Sequence, residues 1–156
     1  MLTWAFFGAW NGPSQLGDGS DPETYGFDLS NLTIERATLQ ASGNPRGFLE
    51  TYRFPKTTAG TDVAAANAAR SRSWQKEVVS DDRVIGVEIN GEYRAYPLFI
   101  MNAHEIVWDI LGEEEIIVTY SPLLDAVGVY EASFAFSSEM FWVSGLLNNL
   151  NLVMYG

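Results

Sequence analysis

From Arg83 onward, apolar and polar positions alternate with a period of two. Arg83-Val84-Ile85-Gly86-Val87-Glu88-Ile89 leads into Asn90-Gly91, and Glu92-Tyr93-Arg94-Ala95-Tyr96 follows. That period puts successive side chains on opposite faces of a strand. Asn-Gly between two such runs selects a type I′ hairpin, because both residues accept positive φ. A two-residue loop then fixes the register: Ile89 opposite Glu92, Val87 opposite Arg94, Ile85 opposite Tyr96. Pro97 ends the second strand, and residues 98–103 read as a short helix opened by that proline. Short strand-like runs follow at 105–110, 116–120, 127–130, 133–136, 140–143 and 150–155, separated by turn residues.

Before Arg83 the pattern is helical. Over residues 61–77, Val63, Ala66, Arg70 and Trp74 fall near one face at three- and four-residue steps, with Trp74 as the anchor. Ala64, Ala65, Ala68 and Ala69 favour the helix, and Thr61 can cap it. Arg70, Arg72 and Lys76 lie late, where they suit the negative end of the helix dipole. Residues 11–26 are rich in Gly, Pro, Asn and Asp and read as loop. Asp18, Asp21 and Glu23 offer oxygen ligands there, but their spacing is not that of a calcium loop. Asn31-Leu32-Thr33 matches a glycosylation acceptor, a pattern too common to carry weight. There is no internal repeat and no interdomain linker. The expected fold is α+β: a mainly antiparallel, curled or barrel-like sheet with one main helix at about 61–77. One β-rich domain over 26–156 follows an aromatic segment and loop over 1–25.

Composition sharpens this picture. The chain has 156 residues, 47% hydrophobic and 19% charged. A chain of this size buries about 68–70% of its unfolded surface and holds a core unaided. Its apolar content excludes a disordered tail. Without cysteine there is no disulfide, thiolate metal site or cysteine nucleophile. The net charge of -11 argues against nucleic acid. The charge is also uneven. All 9 basic residues lie at or before Arg94, whereas residues 95–156 carry acids only (Glu105, Asp109, Glu113, Glu114, Glu115, Asp125, Glu131 and Glu139). Those carboxylates must be solvated, pair back to the first half, bind a cation or face a basic partner. A calcium-responsive acidic surface is the weakest of these readings.

Leu2-Thr3-Trp4-Ala5-Phe6-Phe7-Gly8-Ala9-Trp10 is apolar and aromatic. It is far short of the ~20 residues that span a bilayer, and it lacks the basic flank and small-residue cleavage site of a signal peptide. Trp4, Phe6, Phe7 and Trp10 therefore read either as a strand or flap over the core, or as a contact with a membrane surface or another subunit.

The single histidine, His104, is the one side chain suited to proton transfer near neutral pH. In an extended stretch Asn102 and Ile106 would share its face. Tyr120 and Ser121 end a strand-like run, but no Gly-x-Ser-x-Gly elbow surrounds the serine. A metal site would need further ligands such as Asp109, Glu113 or Asp125, and no spacing marks one out.

Several segments, taken in order, point to a family. They are 72–87, Arg94-Ala95-Tyr96-Pro97, His104-Glu105-Ile106-Val107, Val118-Thr119-Tyr120-Ser121-Pro122-Leu123, Val143-Ser144-Gly145-Leu146-Leu147 and Leu152-Val153-Met154-Tyr155. Together they resemble the bacterial domain-of-unknown-function family 3179, over roughly residues 26–155. The resemblance implies an extracytoplasmic, periplasmic setting and brings no established activity. Relatives usually place a cysteine at the position of Leu124 and an Asn-Asp pair where this chain has Trp108-Asp109, and they continue past the Met-Tyr pair. If the family site joins the histidine to that cysteine, His104 is kept here and its partner is lost, since leucine has no ligand or donor atom.

The favoured expectation is a non-catalytic interaction module, an accessory subunit of a larger extracytoplasmic assembly. Its partners would be other protein subunits, basic ones in the sharper reading. Trp4, Phe6, Phe7, Trp10, Asn102, His104 and Trp108 are the binding candidates, with membrane-surface contact through residues 2–10. No cofactor is expected. The alternative is a metal-binding, hydrolase or redox-type enzyme centred on His104, with Tyr120 and Ser121 as catalytic helpers and a metal held by His104 and Asp109.

Overall fold

A computed structural model describes residues 16–30, 32–69, 76–132 and 141–156. The described strands are β1 (Leu39–Ala41), β2 (Tyr52–Arg53), β3 (Val84–Ile89), β4 (Glu92–Pro97), β5 (Ile106–Leu111), β6 (Glu114–Ser121), β7 (Ala126–Glu131), β8 (Trp142–Asn148) and β9 (Asn151–Tyr155). Two short helices accompany them, α1 (Val63–Ala68) and α2 (Leu98–His104). The central sheet has the order β2-β5-β6-β7, a second sheet has β1-β8-β9, and β3-β4 stands as a hairpin. Every pairing is antiparallel except the short β2–β5 contact. The chain is thus mainly antiparallel β with little helix, as its periodicity indicates. The sheets stack as layers and do not close into a barrel.

The central sheet is covered on both faces, so β6 is buried along nearly its whole length. On one face, Val107, Leu111, Ile116, Val118 and Tyr120 pack against Ile85, Val87 and Tyr96 of the hairpin and Met101 of α2. On the other, Ile106, Trp108 and Ile117 meet Val143, with Phe48, Leu152 and Met154 around them. Asn90 (φ 49°) and Gly91 (φ 81°) form the hairpin turn, and Ile89, Val87 and Ile85 face Glu92, Arg94 and Tyr96. The register deduced from Asn-Gly is the one observed.

The helix expected at 61–77 is much shorter. A 3-10 turn at Gly60–Asp62 leads into α1, which ends at Ala68, and residues 76–79 are not helical. Arg70, Arg72 and Trp74 lie outside the described residues. No residue of α1 is buried and no side chain caps its start. Helix propensity alone does not sustain a long helix without a packed face. The Asn67 side chain also captures the chain further on. Its Nδ2 donates to the Val78 carbonyl (2.7 Å) and its Oδ1 accepts from the Val78 amide (3.2 Å).

The described residues before β1, together with 42–47 after it, dock onto the second sheet. Fully buried Tyr25 packs with Leu39 and Leu146, and its hydroxyl donates to the Asn44 carbonyl at 2.6 Å. Strand β8 bulges around this contact between Val143 and Leu147. Gly145 makes the bulge possible. Its φ is +79°, and a Cβ there would lie 2.7 Å from both the Asn44 oxygen and the Tyr25 ring. Nearby, the Arg46 guanidinium is held between the rings of Phe27 (4.4 Å) and Tyr155 (4.1 Å).

The acidic loop before Tyr25 satisfies itself. Asp18 Oδ1 accepts from the amides of Ser20 and Asp21, both at 2.8 Å, and from the Thr24 hydroxyl. Asp21 caps the 3-10 turn at Pro22–Tyr25 by accepting from the Glu23 amide. Trp4, Phe6, Phe7 and Trp10 lie outside the described residues, as does the strand expected at 133–136. Among the described residues, no helix is long and apolar enough to cross a membrane.

Candidate functional site

His104 is the last residue of α2 rather than part of an extended run. Its Nδ1–H donates to the Glu50 carbonyl at 2.8 Å. A carbonyl only accepts, so Nδ1 carries the proton of this bond. The ring stacks on Tyr52, with centroids 4.9 Å apart at 25°. Glu105 then turns the chain directly into β5 with φ 58°, a left-handed conformation that glycine usually fills. The expected sharing of one face by Asn102, His104 and Ile106 therefore fails: Asn102 is exposed on α2 and Ile106 is fully buried in β5.

The other candidates are engaged separately. The Tyr120 hydroxyl donates to Asp125 Oδ1 at 2.7 Å, and Arg83 donates to both Asp125 oxygens at 3.0 and 2.8 Å. Bonds from Arg83 and then Tyr120 hold the Asp125 carboxyl below its usual range, and the same bond to Asp125 pushes the Tyr120 phenol up. Ser121 Oγ donates to the Leu150 carbonyl at 3.2 Å. Asp109 is buried beneath the hairpin, where Arg94 Nη1 (2.7 Å) and the Tyr96 hydroxyl (3.0 Å) both donate to its Oδ2. Burial first, and then Asp109, raise the Tyr96 phenol well above its ordinary value. Trp108 points to the opposite face of the same strand, its indole nitrogen buried without a hydrogen-bond partner.

No hydrogen bond joins His104 to Tyr120, Ser121 or Asp109. Among the described residues, no three His, Asp or Glu side chains converge where a metal ion would bind. Asp109 is engaged instead by Arg94, Tyr96 and the Ile110 amide.

Among the described residues, what the central sheet leaves open is its far edge. β7 is the terminal strand of the order β2-β5-β6-β7. Val127 and Val129 face Tyr120 and Val118 of β6, so their side chains continue the buried face toward the edge. The hairpin cover does not reach them, and they remain 50% and 43% exposed. Leu124, in the turn between β6 and β7, is 44% exposed and beside Leu123, which is more exposed still.

Acidic residues gather at one end of this strand. Glu131 faces Ile116, the Ala132 amide bonds the Glu115 carbonyl, and Glu113 and Glu114 occupy the adjoining β5–β6 turn and strand start. Among the described residues none of these four glutamates has an ion pair, whereas Asp109 and Asp125 reach back to Arg94 and Arg83. Of the described acids after Arg94, two aspartates are paired, four glutamates form an uncompensated rim and Glu105 stands apart.

A family model described as a protein of unknown function (DUF3179) matches residues 55–156. The chain belongs to this family. No curated protein and no solved structure matches the chain. The DUF3179 match begins after β1 and β2, yet both strands are hydrogen-bonded to strands within the matched region, β1 to β8 and β2 to β5. In this DUF3179 member, Leu124 lies on an exposed turn, its amide donating to the Ser121 carbonyl at 3.3 Å.

Sequence reasoning missed three features. The Val127–Val129 edge was visible only as a generic strand, because exposure depends on how far the hairpin reaches. The Arg83–Asp125 pair joins residues 42 positions apart. The Glu105 turn had a signal: a short helix running into a strand without a glycine forces some residue into the left-handed region.

Proposed function

We propose that this DUF3179 domain is a non-catalytic interaction module. Its β7 edge takes up an extended, basic segment of another protein subunit as an added strand. The observation that carries this reading is the coincidence, on one edge strand, of exposed Val127 and Val129 with a rim of unpaired glutamates. An edge strand offers a row of free backbone groups, and proteins acting as isolated monomers usually blunt such edges with lysine, proline or a covering loop. β7 has neither lysine nor proline. Alternating valines offer apolar contact on one face, and the glutamate rim selects positive charge and speeds encounter. The separate engagement of His104, Tyr120, Ser121 and Asp109 supports a structural role for each. An extracytoplasmic setting and an accessory role within a larger assembly belong to the same proposal.

The test uses short fluorescent peptides that alternate valine with lysine, with serine or with glutamate, titrated against the full chain. The lysine peptide binds most tightly, its affinity falls with added salt, and Val127→Lys/Val129→Lys weakens it by about tenfold or more. Equal binding of the three peptides, or indifference to the double substitution, overturns the reading.

A further inference from the structure

A cavity of about 200 Å³ opens between β8, the segment 42–48 and the β6–β7 turn. Phe48, Val143, Leu146, Leu147 and Leu152, with Pro122 and Leu123, form its apolar wall, and Glu105 is the only ionisable residue of the lining among the described residues. The Glu105 carboxylate is partly buried and has no hydrogen bond or ion pair to any described residue. Its backbone is held in the left-handed region at φ 58°, with its carbonyl accepting from the Tyr120 amide at 2.9 Å. A non-glycine residue in that region costs roughly 1–2 kcal/mol. Burial pushes the carboxyl above its ordinary value, with no neighbouring charge to offset it.

A lone carboxylate beside an apolar wall is complementary to one kind of small molecule. No lysine or arginine follows Arg94, and Arg46, on the adjoining segment, is held between Phe27 and Tyr155. We propose that this cavity binds a small organic cation, a protonated amine carried on a compact apolar body about the size of one aromatic ring. The size follows from volume: an apolar cavity of roughly 150 Å³ accepts benzene. The charge follows from Glu105, whose desolvation an ammonium group would offset by a charge-assisted hydrogen bond. The apolar body fills the space between Phe48, Leu147 and Leu152. An anion of the same shape would face Glu105 with like charge, and a neutral one would leave it unpaired.

Three probes of one shape distinguish these cases: benzylammonium, benzyl alcohol and benzoate, titrated into the isotope-labelled full chain and followed by amide chemical shifts. Benzylammonium binds at least about tenfold more tightly than the other two, and the shifts concentrate on Phe48, Glu105, Val143 and Leu147. Glu105→Gln removes most of that preference while leaving weak binding of benzyl alcohol. Leu147→Trp, which fills the cavity and leaves the carboxylate, abolishes binding of all three. Equal binding of alcohol and ammonium, an unchanged preference in Glu105→Gln, or shifts elsewhere on the surface would overturn the proposal. The β7 peptide titration is unaffected by either outcome, so the two readings stand or fall separately.

Discussion

Arg94 and Asp109 meet where the β3–β4 hairpin lies on the central sheet, Nη1 donating to Oδ2 at 2.7 Å, and Tyr96 donates to the same oxygen. The two partners are unequally covered: the Asp109 side chain is almost fully buried, and that of Arg94 is 22% exposed. Loss of the arginine strands a buried carboxylate, whereas loss of the aspartate frees an arginine that can reach water. Arg94→Met should therefore cost about 3–5 kcal/mol, and Asp109→Asn distinctly less. The double variant should recover much of the loss, because a neutral amide needs no cation. Urea unfolding of the three variants measures this.

A substitution at His104 tests whether its imidazole serves architecture. His104→Ala removes a donor to the Glu50 carbonyl and a ring stacked on Tyr52. The expected loss is about 1–3 kcal/mol of stability. Binding of the lysine peptide to the remaining folded protein should be unchanged. A stable variant with altered binding would instead place the imidazole in a functional surface.

Gly145→Ala should be strongly destabilising, by roughly 1–3 kcal/mol from backbone strain alone, with the clash against Asn44 and Tyr25 added. Gly86→Ala is the control. Gly86 is in β3 with an ordinary φ and open space where a Cβ would point, so its substitution should be neutral or slightly favourable. Thermal unfolding of both variants gives the contrast.

Two carboxyls pull stability in opposite directions with pH. The backbone amides of Asp21 and Ser20 lower Asp18 from 3.8 to about 2. That contribution is present above the ordinary value and is lost as pH falls toward about 2. The melting-temperature gap between wild type and Asp18→Ala should accordingly narrow over that interval. Glu105 is shifted upward by burial. Its protonated form is the one the fold favours, so stability declines as pH rises above the ordinary carboxyl value. Glu105→Gln should gain on wild type as pH increases from about 4 to 7.

Local grammar was legible in the sequence, and spatial consequence was not. Asn90-Gly91 dictated a hairpin because only a few residues accept two positive φ angles in succession, and Pro97 announced α2. The alanine run at 64–69 misled because propensity was counted without a packing face: α1 buries nothing, and Asn67 turns the chain back at Val78. The partners of Asp18 were not legible, because sequence does not show which backbone amides a loop will present to a carboxylate. The absence of cations after Arg94 correctly forced a choice among pairing, solvation and a partner. Different acids took different options: Asp109 and Asp125 found arginines, while the glutamates of the β6–β7 end did not. The openness of β7 depends on the reach of a hairpin some forty residues earlier, which no local pattern encodes.

Hydrogen exchange of the β7 amides, followed residue by residue with and without the valine–lysine peptide at low salt, tests the interaction reading most directly. Strand addition predicts slower exchange confined to residues 126–131 and its loss in Val127→Lys/Val129→Lys. Protection that appears instead on the β3–β4 hairpin or beside His104, or no protection under saturating peptide, would contradict it.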